Sequence, residues 1–212
     1  MPGAFPRKRL GSARESRTVP PAAASRPTPP HPTPMTEDLI LVNERDRATG
    51  RGEKLAVHTA GRLHRAFSIF LVDADGRILL QRRQRTKYHS GGLWANTCCG
   101  HPRPGERTLG AAKRRLREEM GVTARLHFGF RARYRAEFAN GLRENEIAHI
   151  YFGLLPANVQ PDPAEVMAVA PLTLTALKRD ITAHPGKYSF WLKHYLQHHE
   201  RELRSCLLAA TR

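Results

Sequence analysis

The fold is decided by the stretch Trp94-Ala-Asn-Thr-Cys-Cys-Gly-His-Pro-Arg-Pro-Gly-Glu-Arg-Thr-Leu-Gly-Ala-Ala-Lys-Arg-Arg-Leu-Arg-Glu-Glu-Met-Gly121, which joins a thiol and an imidazole to a helical pattern. Four apolar residues recur at helical spacing and predict one buried face: Leu109, Ala112, Leu116 and Met120. Thr108 is a candidate N-cap, and Gly121 stands where such a helix would end. The sequence therefore predicts a loop that leads into a packed helix.

This predicted helix carries charged side chains along one edge of its apolar face. At roughly 100° per residue, Arg115 and Glu119 fall close together on one flank, whereas Glu118 points away from the core. A carboxylate binds divalent cations and a guanidinium binds phosphate oxygens. The edge is therefore suited to holding a metal ion and a phosphate side by side.

The spacing of these residues resembles the Nudix box, G-x5-E-x7-R-E-U-x-E-E-x-G-U, in which U is apolar. The matching residues are Gly100, Glu106, Arg114, Leu116, Glu118, Glu119, Gly121 and Val122. Arg115 departs from the box, because in the Nudix hydrolases a glutamate at this position helps to bind the metal ions. The resemblance implies the Nudix fold, and the departure disfavours hydrolysis.

Short strands are predicted on both sides of the helix. They lie at residues 39–42, 63–73, 77–82, 122–134 and 144–154, with a polar turn at 43–52 and helices at 172–183 and 187–208. Asp75-Gly76 and Asn140-Gly141 are typical of hairpin turns. This order predicts an α/β fold, a Nudix-like mixed-sheet sandwich with flanking helices, rather than a Rossmann unit.

Residues 1–35 differ in composition from the rest of the chain. They contain nine of the sixteen prolines, and six Lys or Arg against one acidic residue. We expect a disordered basic tail here and a single folded domain over 36–212. The alternative is that translation starts at Met35 and the tail is not made.

The charge of the chain predicts an anionic partner. Thirty-five Lys and Arg against nineteen Asp and Glu give +16, of which the tail supplies 6 − 1 = +5 and the folded part +11. Phosphorylated metabolites, nucleic acid and membrane surfaces all fit that charge. Aromatic residues are only 7% and no known nucleic-acid-binding motif is present, which disfavours nucleic acid.

The cysteine count and hydropathy predict the compartment. Three cysteines, two of them adjacent, form no disulfide framework, so we expect a reducing, cytoplasmic setting. No apolar run approaches the roughly 20 residues of a membrane span, so no membrane partner is expected. We take a monomer as the default oligomeric state.

Histidines and carboxylates form a candidate metal site. Glu144 and Glu146 lie two apart on a predicted strand and share one face. With His58, His64 and His101 they form a mixed nitrogen and oxygen set that suits Zn²⁺ or Mn²⁺. The alternative is that each histidine is structural. We assign the other notable histidines to the surface or to packing: His89, His127, His149, His184, His198 and His199.

A basic loop precedes the central stretch, with Arg82, Arg83, Arg85 and Lys87. It is either a solvated charge run or, together with Lys54, a clamp for a diphosphate, because guanidinium groups bind phosphate oxygens in pairs. Cys99 is likewise either an activated thiol or a small buried residue.

Several short elements together resemble type I isopentenyl-diphosphate delta-isomerase. They are Glu53-Lys54 with His58, residues 63–68, 80–83, 94–102 and 134–136, and Glu144-Asn-Glu146. The resemblance covers nearly all of residues 39–191. That family also departs from the Nudix box at the position of Arg115.

The resemblance implies an isomerase of isoprenoid biosynthesis that moves the double bond of isopentenyl diphosphate to give dimethylallyl diphosphate. It implies that Cys99 and Glu146 exchange protons on opposite faces of the substrate and that Tyr134 assists Glu146. Trp191 would offer a π face to the transient cation. An unactivated alkene is a weak base, so the acid must work in a pocket that excludes water.

The resemblance also implies the ligands. One tightly bound divalent metal, Mn²⁺ or Zn²⁺, would fall to His58, His64, His101, Glu144 and Glu146. A Mg²⁺ ion would bind Glu119, the backbone carbonyl of Cys99 and the substrate diphosphate. The clamp on that diphosphate would be Lys54, Arg83, Lys87 and Arg115. Cys99 is chosen because it directly precedes Gly100-His101, and an exchange of roles with Cys98 is the alternative.

Two rival functions come from other classes. A Nudix pyrophosphohydrolase would share the fold, Mg²⁺ and the clamp, but it would need neither Cys99 nor the Glu144/Glu146 pair. A nucleic-acid-binding module would explain the charge, but not the placement of Cys, His and Glu residues.

Overall fold

The computed structural model describes residues 37–211, and the predicted tail at 1–35 lies outside them. Within these residues nine strands form one mixed sheet. The strands are β1 (Asp38–Val42), β2 (Ala48–Glu53), β3 (His64–Val72), β4 (Ile78–Arg83), β5 (Trp94–Ala95), β6 (Cys98–Gly100), β7 (His127–Glu137), β8 (Arg143–Leu154) and β9 (Val166–Leu172). The helices are α1 (Lys54–Ala60), α2 (Thr108–Met120), α3 (Leu174–Ala183), α4 (Phe190–His198) and α5 (Glu200–Ala210), with a 3-10 turn at Pro185–Lys187.

Strand β3 is the centre of the sheet. It pairs in parallel with β8 along its whole length, from His64 opposite Glu146 to Val72 opposite Leu154. On its other edge it pairs antiparallel with β6, where Ser68 lies opposite Cys99. Because paired residues on adjacent strands are close neighbours, β3 brings the histidine, the carboxylate and the thiol of distant segments together.

The core lies on both faces of this sheet. On one face Phe70, Ile150 and Phe152 pack with the buried residues of α4 and α5. On the other, the predicted face of Phe67, Ile69 and Leu71 packs with residues of α2 that include Leu116 and Met120. Each such side chain, when fully buried, contributes roughly 1.5–3 kcal/mol. The predicted mixed-sheet sandwich with flanking helices is confirmed.

Helix α2 forms where it was expected, with two differences at its start. Leu109 is 37% exposed, and Ala111 is buried with Ala112 instead. Thr108 is the first helical residue, and the capping position falls to Arg107, whose side chain makes no cap hydrogen bond.

The end of α2 requires a glycine. Gly121 has φ 67°, and a Cβ built on it would lie 2.5 Å from the carbonyl oxygen of Gln160. Since L-residues are disfavoured at positive φ and a side chain would overlap that oxygen, both conformation and packing demand glycine here. The segment after Gln160 therefore docks closely on the helix end.

Three expectations about secondary structure are wrong, and one strand was missed. The polar turn predicted at 43–52 contains most of β2, whose residues are mostly exposed and show no apolar alternation. The missed strand is β9, an apolar run that contains Pro171 and also shows no alternation of apolar and polar residues. The strand expected at 122–134 starts only at His127. The helix expected at 187–208 is split by His199, whose φ of −133° and ψ of 27° are not helical.

Among residues 37–211, none of the helices combines the length and the apolar content needed to cross a membrane.

Candidate active site

A cavity of about 180 Å³ opens beside β6 and the start of the loop after β4. The predicted site residues that line it are Lys54, Arg83, Lys87, Cys99, His101, Arg115, Glu119, Tyr134, Glu144, Glu146 and Trp191. His58 and His64 do not line the cavity but lie fully buried against Glu144. The structure thus brings every residue of the predicted site into one region.

Five of these residues form what we call the histidine–carboxylate cluster: His58, His64, His101, Glu144 and Glu146. Each residue offers one nitrogen or oxygen atom that could bind a metal ion, and these five atoms lie within 4.8 Å of one another. All five residues are buried. α1 supplies the first histidine, β3 the second and β8 both carboxylates. The alternation of side chains along β8 places those carboxylates on the same face.

Backbone carbonyls fix the tautomers of two histidines in this cluster. His58 Nδ1 donates to the carbonyl of Lys54 at 2.6 Å, and His64 Nδ1 donates to that of Arg62 at 2.8 Å. A carbonyl can only accept, so the Nε2 atom of each neutral ring presents a lone pair to the cluster. This outer hydrogen bond is typical of histidines that bind metals.

Three atoms inside the cluster lack hydrogen-bond partners, whereas His101 Nε2 lies 2.8 Å from Glu146 Oε1. His58 Nε2 lies 3.2 Å from Glu144 Oε2, and His64 Nε2 lies 3.5 Å from the same oxygen. None of these three atoms makes a hydrogen bond. Lone pairs of neutral imidazoles facing buried carboxylates need a cation between them, and nitrogen with carboxylate oxygen suits a divalent metal ion. The residues present therefore fit such an ion.

A proton on an imidazole could also neutralise these carboxylates. Burial by itself lowers the pKa of His64, but the neighbouring Glu144 and Glu146 outweigh it and raise the pKa to about 10. The cluster thus attracts positive charge strongly.

His89 was assigned to the surface or to packing, and the structure shows packing together with a contact to the cluster that was not expected. Its side chain is buried, and its Nε2 lies 2.8 Å from Glu144 Oε1. The ring also stacks on Phe138 with centroids 4.6 Å apart. His89 therefore contacts the oxygen of Glu144 that does not face His58. Its place in an irregular loop gave no periodic signal.

Cys99 and Tyr134 stand next to the cluster. The Tyr134 hydroxyl donates to Glu146 Oε2 at 2.5 Å. Burial raises the pKa of Cys99 to about 12, although the nearby guanidinium of Arg83 opposes this. Cys99 is thus a neutral thiol that carries a proton, beside a carboxylate that a phenol holds in position.

The two adjacent cysteines point in different directions. Cys98 is fully buried in the core between the sheet and α2, whereas Cys99 lines the cavity. Successive residues of a strand face opposite sides. Only Cys99 is therefore placed to meet a ligand.

Four basic residues around the cavity form what we call the cationic clamp: Lys54, Arg83, Lys87 and Arg115. Arg83 is buried, with its guanidinium 5.2 Å from the centre of the Trp191 ring. The other three have side chains between 21% and 28% exposed. Within the basic loop, Arg82 instead donates to the carbonyl of Gly92 and Arg85 is exposed. Two residues of the basic loop, Arg83 and Lys87, therefore belong to the clamp, and Arg85 belongs to the solvated surface.

Glu119 and Arg115 lie on the same edge of α2, as expected. They form an ion pair, and the amide of Gln81 donates to the second oxygen of Glu119 at 3.1 Å. Glu118 is more exposed and also contacts Arg115, at 2.8 Å.

Asn96 is a buried residue beside the site that the sequence analysis did not single out. Its side-chain amide donates to the carbonyls of Ile69 and Cys98, at 3.0 and 2.9 Å, and its oxygen accepts from Trp191 Nε1 at 3.0 Å. Asn96 thus fixes the Trp191 ring to the strand that carries Cys99. Asn96 lies within the stretch 94–121 that decides the fold, and this position was the indication that the sequence offered.

Comparisons with known proteins agree on one family. Residues 62–192 match the NUDIX domain. The chain is 48% identical over 158 residues to isopentenyl-diphosphate Delta-isomerase 2 of Aromatoleum aromaticum, covering 74% of this chain and 84% of that protein. It is also 48% identical over 157 residues to isopentenyl-diphosphate Delta-isomerase of Serratia proteamaculans, covering 74% and 88%. A solved structure from Deinococcus radiodurans shares the fold, with TM-score 0.59, 22% identity, and 69% and 90% of the two chains covered.

Proposed function

The chain belongs to the NUDIX family and, within it, to the isopentenyl-diphosphate Delta-isomerases, and from this membership we propose that it interconverts isopentenyl diphosphate and dimethylallyl diphosphate in isoprenoid biosynthesis. The observation that carries the proposal is that the Cys99 thiol lines the same cavity as the Tyr134–Glu146 pair. Hydrolysis of a diphosphate needs neither group. Isomerisation needs one group to supply a proton and another to remove one.

The reaction moves one proton in and one proton out. A proton adds to the terminal CH₂ carbon of the alkene, and the electron pair of the double bond forms the new C–H bond. The positive charge then lies on the tertiary carbon. Loss of a proton from the next carbon, on the diphosphate side, returns an electron pair and forms the new double bond. Cys99 and Glu146 are the groups that exchange these protons.

Groups around the reacting carbons stabilise the transient charge. Trp191 lines the cavity, and its hydrogen bond to Asn96 holds the ring in place. An aromatic face attracts a cation. Tyr134 hydrogen-bonds to Glu146 and orients that carboxylate while its protonation changes. The buried walls exclude water that would otherwise capture the cation.

The histidine–carboxylate cluster holds a divalent metal ion in this proposal, Mn²⁺ or Zn²⁺. The five nitrogen and oxygen ligands that would hold it are more than the four of a tetrahedral structural zinc site. When bound, the ion supplies positive charge beside Glu146 and tunes the acidity of that group. Glu146 is thus both a ligand and a proton carrier.

The cationic clamp binds the diphosphate. Guanidinium groups of Arg83 and Arg115 bind phosphate oxygens in pairs, and the ammonium groups of Lys54 and Lys87 add charge. Glu119 and the backbone carbonyl of Cys99 would hold a Mg²⁺ ion that accompanies the diphosphate, and that ion would supply positive charge to the phosphate oxygens. The clamp orients the substrate so that its hydrocarbon part lies between Cys99 and Glu146.

The test is incubation of the metal-loaded protein with isopentenyl diphosphate and Mg²⁺ in heavy water, followed by proton NMR. We expect dimethylallyl diphosphate with deuterium in a methyl group. Release of phosphate without isomer would instead support a hydrolase. Unchanged substrate, in a sample that is folded and metal-loaded, would refute the proposal.

A further inference from the structure

One carboxylate outside the predicted site contacts two residues of the cationic clamp. Glu165 lines the cavity, and its side chain is 24% exposed. One oxygen forms an ion pair with the ammonium of Lys87, and the other lies 3.4 Å from Arg115 Nη2. Glu165 therefore lies between Lys87 and Arg115, two cations that bind the diphosphate in the proposed function.

The backbone holds Glu165 at this place. The amide of Gln84 donates to the carbonyl of Glu165 at 2.9 Å, and the amide of Glu165 donates to Asp162 at 3.0 Å. The amide of Asp162 in turn donates to the carbonyl of Glu119 at 2.9 Å. Glu165 is thus tied both to the loop that carries Lys87 and to the end of α2, unlike a carboxylate on a free surface loop.

The charges in this part of the cavity explain why a carboxylate is needed there. Burial lowers the pKa of Lys87, and the nearby guanidinium groups of Arg83 and Arg115 lower it further, although Glu119 opposes them. Three crowded cations repel one another when no ligand is bound. Glu165 adds its negative charge to those of Glu119 and Glu118, which also contact Arg115, and offsets part of this repulsion.

Resting on the proposed function, we propose that Glu165 is a built-in counter-charge that holds Lys87 and Arg115 until a diphosphate displaces it, and that it makes the clamp select a diphosphate carrying Mg²⁺. A free diphosphate brings several negative charges next to Glu119 and Glu165, and like charges repel strongly in a partly buried site. Mg²⁺ cancels two of those charges. The Mg²⁺ complex is therefore accepted and the free diphosphate is disfavoured.

The experiment measures binding of inorganic pyrophosphate to the full, metal-loaded chain by isothermal titration calorimetry, with and without Mg²⁺. Glu165→Gln keeps the shape of the side chain and removes its charge. We expect this variant to bind pyrophosphate roughly three- to tenfold more tightly than the unaltered chain when Mg²⁺ is absent. With Mg²⁺ present, the dissociation constants of the variant and the unaltered chain should agree within about twofold. The affinity of the variant for pyrophosphate should therefore depend less on Mg²⁺ than that of the unaltered chain.

Glu118→Gln is the matched control. Glu118 also contacts Arg115, at 2.8 Å, but its side chain is 41% exposed and does not line the cavity. Its loss should leave pyrophosphate binding within about twofold of the unaltered chain. Melting temperatures of both variants check that they fold.

Three results would overturn the inference. Weaker binding by Glu165→Gln would mean that Glu165 is a ligand or a structural support, and an unchanged dependence on Mg²⁺ would mean that its charge is irrelevant. If the unaltered chain showed no saturable binding of pyrophosphate, the cationic clamp would not be a diphosphate-binding site. The isomerisation assay is read separately, so a failure of the proposed chemistry would be visible even if the pyrophosphate results hold.

Discussion

The histidine–carboxylate cluster and the cationic clamp border the same cavity, but they are held in different ways. His58 and His64 are 0% exposed, and their rings are fixed by backbone carbonyls. Lys87 and Arg115 are more than a fifth exposed and pair with carboxylates of the chain's own side chains. A site that keeps its ion must be rigid and buried, whereas a site that releases a ligand in every turnover needs contacts that can be exchanged.

The largest effect should come from the thiol between these two regions. Cys99→Ala should lower turnover by at least about a thousandfold, because no other group can exchange that proton. Its metal content and melting temperature should stay near those of the unaltered chain. The measurements are the NMR assay, elemental analysis and thermal unfolding.

Cys98→Ala is the control for this variant. It removes a fully buried thiol from the core and should cost about 1 kcal/mol of unfolding free energy, with turnover retained. Substantial activity in Cys99→Ala would show that the roles of the two thiols are assigned wrongly.

The rigid region is tested by removing one of its imidazoles. His64→Ala should lower the affinity of the tightly bound ion by more than about a hundredfold, since loss of even an outer partner costs ten- to a hundredfold. Elemental analysis after dialysis measures this. His149→Ala lies further along β8 and removes a ring that contacts Asp46 instead. His149→Ala should keep the tightly bound ion. Equal loss of the ion from both variants would show that the ion is not bound at the histidine–carboxylate cluster.

The exchangeable region is tested at Glu119. Glu119→Gln should weaken pyrophosphate binding in Mg²⁺ by about tenfold, because one ligand charge for that ion is lost. The tightly bound ion should remain. Calorimetry and elemental analysis on one sample separate the two effects. Loss of the tight ion would mean that the two metal positions have been confused.

The smallest effect should come from outside both regions. A chain that starts at Met35 should isomerise isopentenyl diphosphate at a rate within about twofold of the full chain, since all residues of the proposed site lie within residues 37–211. Steady-state rates of the two chains measure this. A marked fall in rate would assign residues 1–35 to the working enzyme.

Sequence reasoning reached the parts of the molecule that have a pattern. The alternation in β3 and the periodicity of α2 located the central strand and the helix edge with Arg115 and Glu119, because burial imposes such patterns. The short elements around Cys99 and Glu146 carried the family resemblance. These segments position most of the site.

The parts that sequence reasoning missed are defined by tertiary contacts. Strand β2 exposes most of its residues, and β9 is an apolar run that contains Pro171, so neither shows the alternation of a half-buried strand. His89 and Glu165 lie in irregular segments, and only their contacts with Glu144 and Lys87 give them meaning. The roles of such residues depend on contacts with segments that are distant in the chain, and the spacing of residues in the sequence does not reveal those contacts.

The glycine at the end of α2 links helix geometry to the entrance of the cavity. Gly121 leaves no space for a side chain, and the segment that it touches continues through Asp162 to Glu165. A larger residue at position 121 would push that segment outward and carry Glu165 with it. Substitutions at this position would therefore alter how diphosphate binding depends on Mg²⁺, even though glycine contributes no functional group.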